Sequence, residues 1–379
     1  MTGKATYSGG PIFDGTTLHT DMAARFHDGT FAELVPASAA QSDPDLIDLG
    51  GDILSPGYID LQVNGGDGLM LNDAPTVETL DRMARAHRRL GVTGLLPTLI
   101  TDTPEITRAA IDATATAIAK GIPGILGLHL EGPHLSIAKK GAHDPNLIRP
   151  MDDADCQALI DAAKVLPILK ITVAPENVTA DQVSRLAKAG ALVSLGHTAT
   201  DYDTAMAYAR AGARCATHLF NAMSPLGHRE PGLVGAALAS GDLSAGLIAD
   251  TVHVHPAAIA TAWAAKAGPG RLFLVSDAMA VAGTEAQEFH LGGRRISRSN
   301  GRLTLDDGTL AGADLDLTTA IRVLVEQVGI PLADALAAAT TVPAELIGHT
   351  AGLTSCETPQ SSVIRISKDF SRADVLTPA

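Results

Sequence analysis

Aromatic residues are scarce in this chain of 379: seven Phe, four Tyr and one Trp. Hydrophobic residues still make up 46 %, so the core must be aliphatic and Ala-rich, as where many helices pack on a parallel sheet. Cysteine is scarce as well. Cys156, Cys215 and Cys356 lie far apart and are odd in number, which excludes a disulfide framework or a cysteine metal knuckle and suits a reducing cytoplasm. No run of 18 apolar residues occurs, and the N-terminus lacks a basic start followed by an apolar stretch. The expectation is a cytoplasmic protein, neither exported nor membrane-spanning. Positive charge is in deficit. The net charge is −14, with acidic residues spread along the chain, which argues against nucleic acid or an anionic membrane as the main partner. An anionic substrate would have to be held by a few placed cations.

What is present is a repeating pattern. From about residue 55, short apolar runs alternate with longer helical stretches; the runs cover 58–63, 94–100, 125–131, 169–173, 191–197, 215–219, 244–249 and 272–277. Ile106, Ala110, Ala113 and Ala117 form one apolar helical stripe, and Leu317, Ile321, Leu324 and Val328 form another. Eight strand–helix repeats imply an α/β fold, a closed (β/α)₈ barrel of the TIM type, with a doubly wound sheet as the alternative. The flanks, residues 1–54 and 348–379, contain short β-like runs at 46–49, 363–366 and 373–376. They suggest a small β-sandwich built from both termini around a barrel at 55–347. Gly-Gly and Asn-Gly turns within 289–311 read as a β-hairpin insertion.

In such a barrel, chemistry sits at the C-terminal ends of the strands. The third run ends in Glu131, the fifth in His197, and the sixth carries His218. A carboxylate there is costly to bury unless it is paired or binds a cation. A lone strand-end His is more often a hydrogen-bonded structural residue, but three such groups at one mouth match the three-ligand, open-position arrangement of catalytic zinc. Asp277 ends the eighth run, where it would move a proton or simply cap the next helix. His253 follows the seventh run and either holds substrate or lies on the surface.

These residues also carry a resemblance. Pro56-Gly57-Tyr58-Ile59-Asp60, His129-Leu130-Glu131-Gly132-Pro133, Gly196-His197, Thr217-His218-Leu219-Phe220-Asn221-Ala222-Met223, Arg229-Glu230-Pro231-Gly232 and Ser276-Asp277-Ala278 resemble, in order, the N-acetylglucosamine-6-phosphate deacetylases of the amidohydrolase superfamily. The resemblance spans about residues 50 to 350. It implies Glu131, His197 and His218 as metal ligands and Asp277 as general base, then acid. It implies substrate contacts from Ala142, His143, Asn221, Ala222, Arg229, His253 and the segment Leu310, Ala311, Gly312. A homodimer is implied, with Arg229 reaching the phosphate across the interface. The expected reaction is hydrolysis of N-acetyl-D-glucosamine 6-phosphate to D-glucosamine 6-phosphate and acetate, with water activated by the metal as nucleophile.

The superfamily often opens with His-x-His and a second metal. Here Gln62 and Asn64 occupy those positions, and amides are weak ligands for a borderline-soft ion. One divalent ion per chain is expected, zinc first, with iron, manganese or cobalt as alternatives. After Gly352-Leu353 the sequence departs from the Pro-Gly-rich turn usual in the family. Other readings are an amidohydrolase acting on another N-acyl amino sugar phosphate or a cyclic amide, and a non-catalytic sugar-phosphate binder. The retained Asp277 speaks against the binder.

Overall fold

The computed structural model describes residues 3–353 and 355–377. Eight parallel strands follow one another around a nearly closed barrel: β1 (Tyr58–Val63), β2 (Val92–Ile100), β3 (Leu128–Glu131), β4 (Leu169–Val173), β5 (Leu192–Leu195), β6 (Cys215–Ala216), β7 (Ser244–Leu247) and β8 (Leu272–Leu274). Each neighbouring pair from β1 to β8 shares a parallel ladder. Helices cover the outside, as parallel crossovers require.

The helix facing β2 and β3 shows how an aromatic-poor core is filled. Helix Pro104–Ala119 starts at Thr103, whose side chain accepts the Ile106 N–H, and Pro104 takes the first helical position. Of the expected stripe it buries Ala110, Ala113 and Ala117 and leaves Ile106 partly buried against the core, so its axis lies close against the sheet. The second expected stripe is also helical, but helix Leu317–Arg322 passes into a π-helical segment at Val323–Val328 before Gly329 ends it in the left-handed conformation.

Both termini fold together. Strands Ala373–Val375, Val363–Ile366, Ile53–Pro56, Ile12–Phe13 and Leu18–His19 form one sheet. Thr30–Pro36, Met22–His27, Lys4–Ser8 and Leu46–Asp48 form the other. Tyr7, Phe26 and Phe31 of one sheet meet Ile12, Leu54 and Val363 of the other in a shared apolar core, a small sandwich beside the barrel. Residues 288–313 build a four-stranded antiparallel meander, Glu288–Leu291, Arg294–Ser299, Arg302–Leu305 and Leu310–Ala313, where the turn residues alone suggested one hairpin.

Strands 5, 6 and 8 stop short of the expected bounds. His197, His218 and Asp277 lie two to three residues past the last strand residue and have φ of 47°, 32° and 50°. A left-handed residue cannot continue a parallel ladder, so the strand ends there and the side chain turns over the barrel mouth. The barrel closes in the same region. β8 and β1 share no regular ladder; Val63 and Ala278 form a single bridge. The Ser276 N–H instead donates to both carboxyl oxygens of Asp60, each at 3.3 Å.

Candidate active site

Three donor atoms come together at the mouth. Glu131 Oε1 lies 3.1 Å from His218 Nε2 and 3.4 Å from His197 Nε2, and the two imidazole nitrogens are 3.1 Å apart. A tetrahedral ion with bonds of about 2.0–2.2 Å needs donors roughly 3.3–3.6 Å apart. The triangle therefore fits a divalent cation with little adjustment. His197 Nδ1 donates to the Lys139 carbonyl at 2.8 Å, which leaves Nε2 with its lone pair facing the triangle. Burial pushes the Glu131 carboxyl up, but hydrogen bonds from His197 and His218 outweigh it and hold the group well below the usual range. Burial lowers His218, and Glu131 more than reverses this, raising it.

Glu131, His143 and His197 also bring ligand atoms within 4.8 Å of one another. His143 is nevertheless a poor ligand. Its Nδ1 is engaged by Thr101, 2.8 Å from the hydroxyl oxygen and 3.3 Å from the backbone nitrogen. Its Nε2 lies 3.8 Å from Glu131 Oε2, farther than the nearest nitrogens of His197 and His218 lie from that carboxylate. Burial, then the neighbouring His197, pushes its pKa down to about 3. His143 is a neutral imidazole lining the site.

Asp277 faces the same space. Its Oδ1 accepts from Asn64 Nδ2 at 2.7 Å and from Gln62 Nε2 at 3.1 Å. The Gln62 amide also donates to Glu131 Oε1 at 3.2 Å. Gln62 thus ties the two carboxylates together from below. Burial first, then the Glu131 charge, raises the Asp277 pKa. His253 is not a surface residue: its side chain is 7 % exposed, and Nδ1 donates to Asp250 Oδ2 at 2.6 Å.

All of this surrounds one cavity of about 390 Å³, within the size range of small-molecule sites. Ala142, His143, Asn221, Ala222, His253, Leu310 and Gly312 line it together with Glu131, His197, His218, Asp277 and Asn64. Gln62 is buried beneath the floor, and Ala311 points into the core of the meander. Arg229 is exposed and is not part of the lining of its own chain's cavity. Gly312 adopts φ +63° with Met279 side-chain atoms 2.4 Å from where a Cβ would lie, so the chain passes flush over the cavity wall. Sequence reasoning missed Lys139, whose carbonyl orients His197 and which lines the cavity, and Met279, Thr309 and Ile248. Lys139 stands in Lys139-Lys140-Gly141, just before Ala142 and His143, but a backbone carbonyl contact leaves no mark on the residue pattern.

Comparison with known proteins agrees with this geometry. The sequence model of the amidohydrolase family matches residues 53–354. A curated N-acetylgalactosamine-6-phosphate deacetylase from Shewanella sp. (strain ANA-3) is 42 % identical over 89 % of this chain and 86 % of its own length. The N-acetylglucosamine-6-phosphate deacetylase of Haemophilus influenzae is 38 % identical over 86 % of each. The solved N-acetylglucosamine-6-phosphate deacetylase of Pasteurella multocida superposes with a TM-score of 0.90 at 33 % identity, covering 99 % of this chain and 98 % of that one. A Mycobacterium smegmatis mutant enzyme in complex with N-acetyl-D-glucosamine-6-phosphate gives 0.89 at 30 % identity, covering 98 % and 97 %. With a barrel mouth of this construction and likeness of this extent, the chain belongs to the amidohydrolase family, alongside the deacetylases of N-acetylated amino sugar 6-phosphates.

Proposed function

We propose that this chain hydrolyses the acetamide of N-acetyl-D-glucosamine 6-phosphate to D-glucosamine 6-phosphate and acetate. The observation that carries the reading is the Glu131–His197–His218 triangle, with edges of 3.1–3.4 Å, opening into a cavity that Asp277 also faces. A divalent cation held by those three residues would polarise the acetamide carbonyl and lower the pKa of water from about 15.7 to about 7. Asp277 takes the proton of the attacking water and passes it to the departing sugar nitrogen. Its raised pKa suits both steps, because a base nearer neutrality gives the proton back more readily. His143 contacts the substrate from the cavity wall, and Asp250 holds His253 with Nε2 toward the substrate.

Gln62 supports a single ion per chain. Its amide nitrogen occupies the place between Glu131 and Asp277 that a second bridging cation would need. Zinc is the first choice, and iron, manganese and cobalt suit the same ligands. Elemental analysis giving two ions per active chain would refute the count. Asn221 and Ala222 contact the phosphate end. Since Arg229 lies outside its own chain's cavity, it serves a second copy of the chain in a homodimer, where its planar fork suits a phosphate.

The Shewanella relative, named for N-acetylgalactosamine 6-phosphate at 42 % identity, favours the C4 epimer as a second reading. Acetate release from both epimers, phosphorylated and free, before and after chelation, decides the matter. No acetate from either phosphosugar with the metal-loaded protein overturns the proposal, and a clear preference for the galactosamine epimer replaces it with the second reading.

A further inference from the structure

Beneath the metal triangle lies a layer of buried polar side chains that the reaction does not use. Thr172 Oγ1 is 2.7 Å from His129 Nε2 and 2.7 Å from Thr217 Oγ1. Thr217 Oγ1 is in turn 2.6 Å from Ser194 Oγ. At the other end, His129 Nδ1 meets Thr98 Oγ1 at 3.2 Å, and that oxygen also accepts the Val63 N–H at 2.9 Å. The five side chains belong to residues with no solvent exposure.

One order of protons satisfies every member. The Thr98 hydroxyl donates to the Leu96 carbonyl, so His129 Nδ1–H donates to Thr98 and Nε2 accepts from Thr172. Thr172 then accepts from Thr217, and Thr217 from Ser194. Such an array is rigid, because each bond polarises the next and any missing partner leaves a buried polar atom unpaired.

Its members sit next to the ligands. Glu131 follows His129 by two residues, so both project from the same face of β3. His218 is the residue after Thr217. His197 follows Gly196, where a Cβ would come within 2.9 Å of both Thr172 Cγ2 and Thr217 Cβ, so the backbone carrying His197 lies directly on the array. β4 contributes none of the three proposed ligands, yet its Thr172 is the junction at which the three ligand-bearing segments meet.

We propose that Thr172 is a positioning residue for the metal centre, its hydroxyl fixing the separation of Glu131 from His218. The inference rests on the ligand assignment made above. Metal–ligand distances tolerate only about 0.2 Å of error, so loosening the junction is read as weaker metal binding.

The test uses the full-length protein. Thr172→Val keeps the shape and removes the hydroxyl, Thr172→Ser restores the hydroxyl, and Ser194→Ala cuts the far end of the array. Cobalt(II) affinity is measured by competition with a chelator, the visible spectrum of the cobalt-loaded protein is recorded, and thermal melting is followed on metal-free protein. Thr172→Val should bind cobalt about 10-fold or more weakly, in the range found when groups supporting metal ligands are removed, with an altered spectrum and a melting curve that remains cooperative. Thr172→Ser should return both readouts to native values, and Ser194→Ala should fall between. Native affinity and spectrum in Thr172→Val overturn the inference, as does equal weakening in Thr172→Ser. If Thr172→Val does not fold, unchanged affinity in Ser194→Ala overturns it. Failure of the unaltered protein to bind cobalt overturns the ligand assignment itself, a result distinct from tight binding that ignores Thr172.

Discussion

Asp277, which lines the cavity, accepts both of its side-chain hydrogen bonds through Oδ1, from Gln62 and Asn64, and this leaves Oδ2 free of side-chain donors. Asp277→Asn keeps the shape and removes the base. Turnover should fall by about 10²–10⁴-fold while metal content stays at the native level; acetate release above a tenth of native would sink the role given to Asp277. The residue types at this site were readable from position alone, since Glu131, His197 and Asp277 each close an apolar run, and His218 is the last but one of its run, at the expected end of a barrel. Their backbone was not. Positive φ at a His or Asp comes from the surrounding structure overruling a local preference, and a residue pattern carries no trace of that. Gln62 was legible as a lost ligand, but not as the amide that joins Glu131 to Asp277. Thr172 and Thr217 looked like ordinary strand formers.

At the scale of elements, the β8–β1 junction is held by a buried carboxylate together with a few backbone bonds, the Asp277 N–H to the Gln62 carbonyl and the Asn64 and Gly65 N–H groups to the Ala278 carbonyl. Burial, opposed by the bonds from Ser276 and Gln62, pushes Asp60 from 3.8 up to about 7. Between those values the folded protein holds a proton that the unfolded chain does not. The stability contributed by this group is therefore full below about pH 4 and is lost as pH rises toward 7. Asp60→Asn removes that dependence. Urea midpoints at pH 5 and pH 8 should show the variant gaining on the native protein at the higher pH; a gap that is constant or moves the other way contradicts the value for Asp60. The meander at 288–313 makes a separate contribution. Arg294 donates to the Ala142 carbonyl, joining the meander to the loop that bears His143. Arg294→Ala should raise KM by about 10-fold, the value of one charge-assisted hydrogen bond, with kcat within about twofold. A loss confined to kcat would show that this loop acts on the chemistry and not on substrate capture. Turn residues announced the insertion, but its contact with Ala142 joins positions 152 apart in sequence, beyond the reach of any local signal.

For the whole molecule, a net charge of −14 repels a phosphosugar, and placed cations must overcome that field. Arg229→Ala should raise KM for the phosphorylated sugar and leave the unphosphorylated one unchanged, and the difference should shrink at high salt. Equal effects on both sugars would remove Arg229 from phosphate binding. Among the described residues no helix is long and apolar enough to cross a membrane. The repeat of eight runs made the barrel legible, because alternating periods survive in any order of detail. The pairing of the two flanks was visible only as composition, since strand partners hundreds of residues apart share no spacing rule. That pairing has a consequence for how the chain acquires its shape. Ile53–Pro56, which leads into the strand that holds Gln62 and ends just before Asn64, is flanked by Val363–Ile366. During synthesis, strand Ile53–Pro56 therefore waits for nearly the whole polypeptide before this antiparallel neighbour exists, whereas β1 meets β2 early. Completion of the small sandwich is a late event, and a ribosome stalled short of residue 363 would carry a barrel whose lead-in strand still lacks its C-terminal partner.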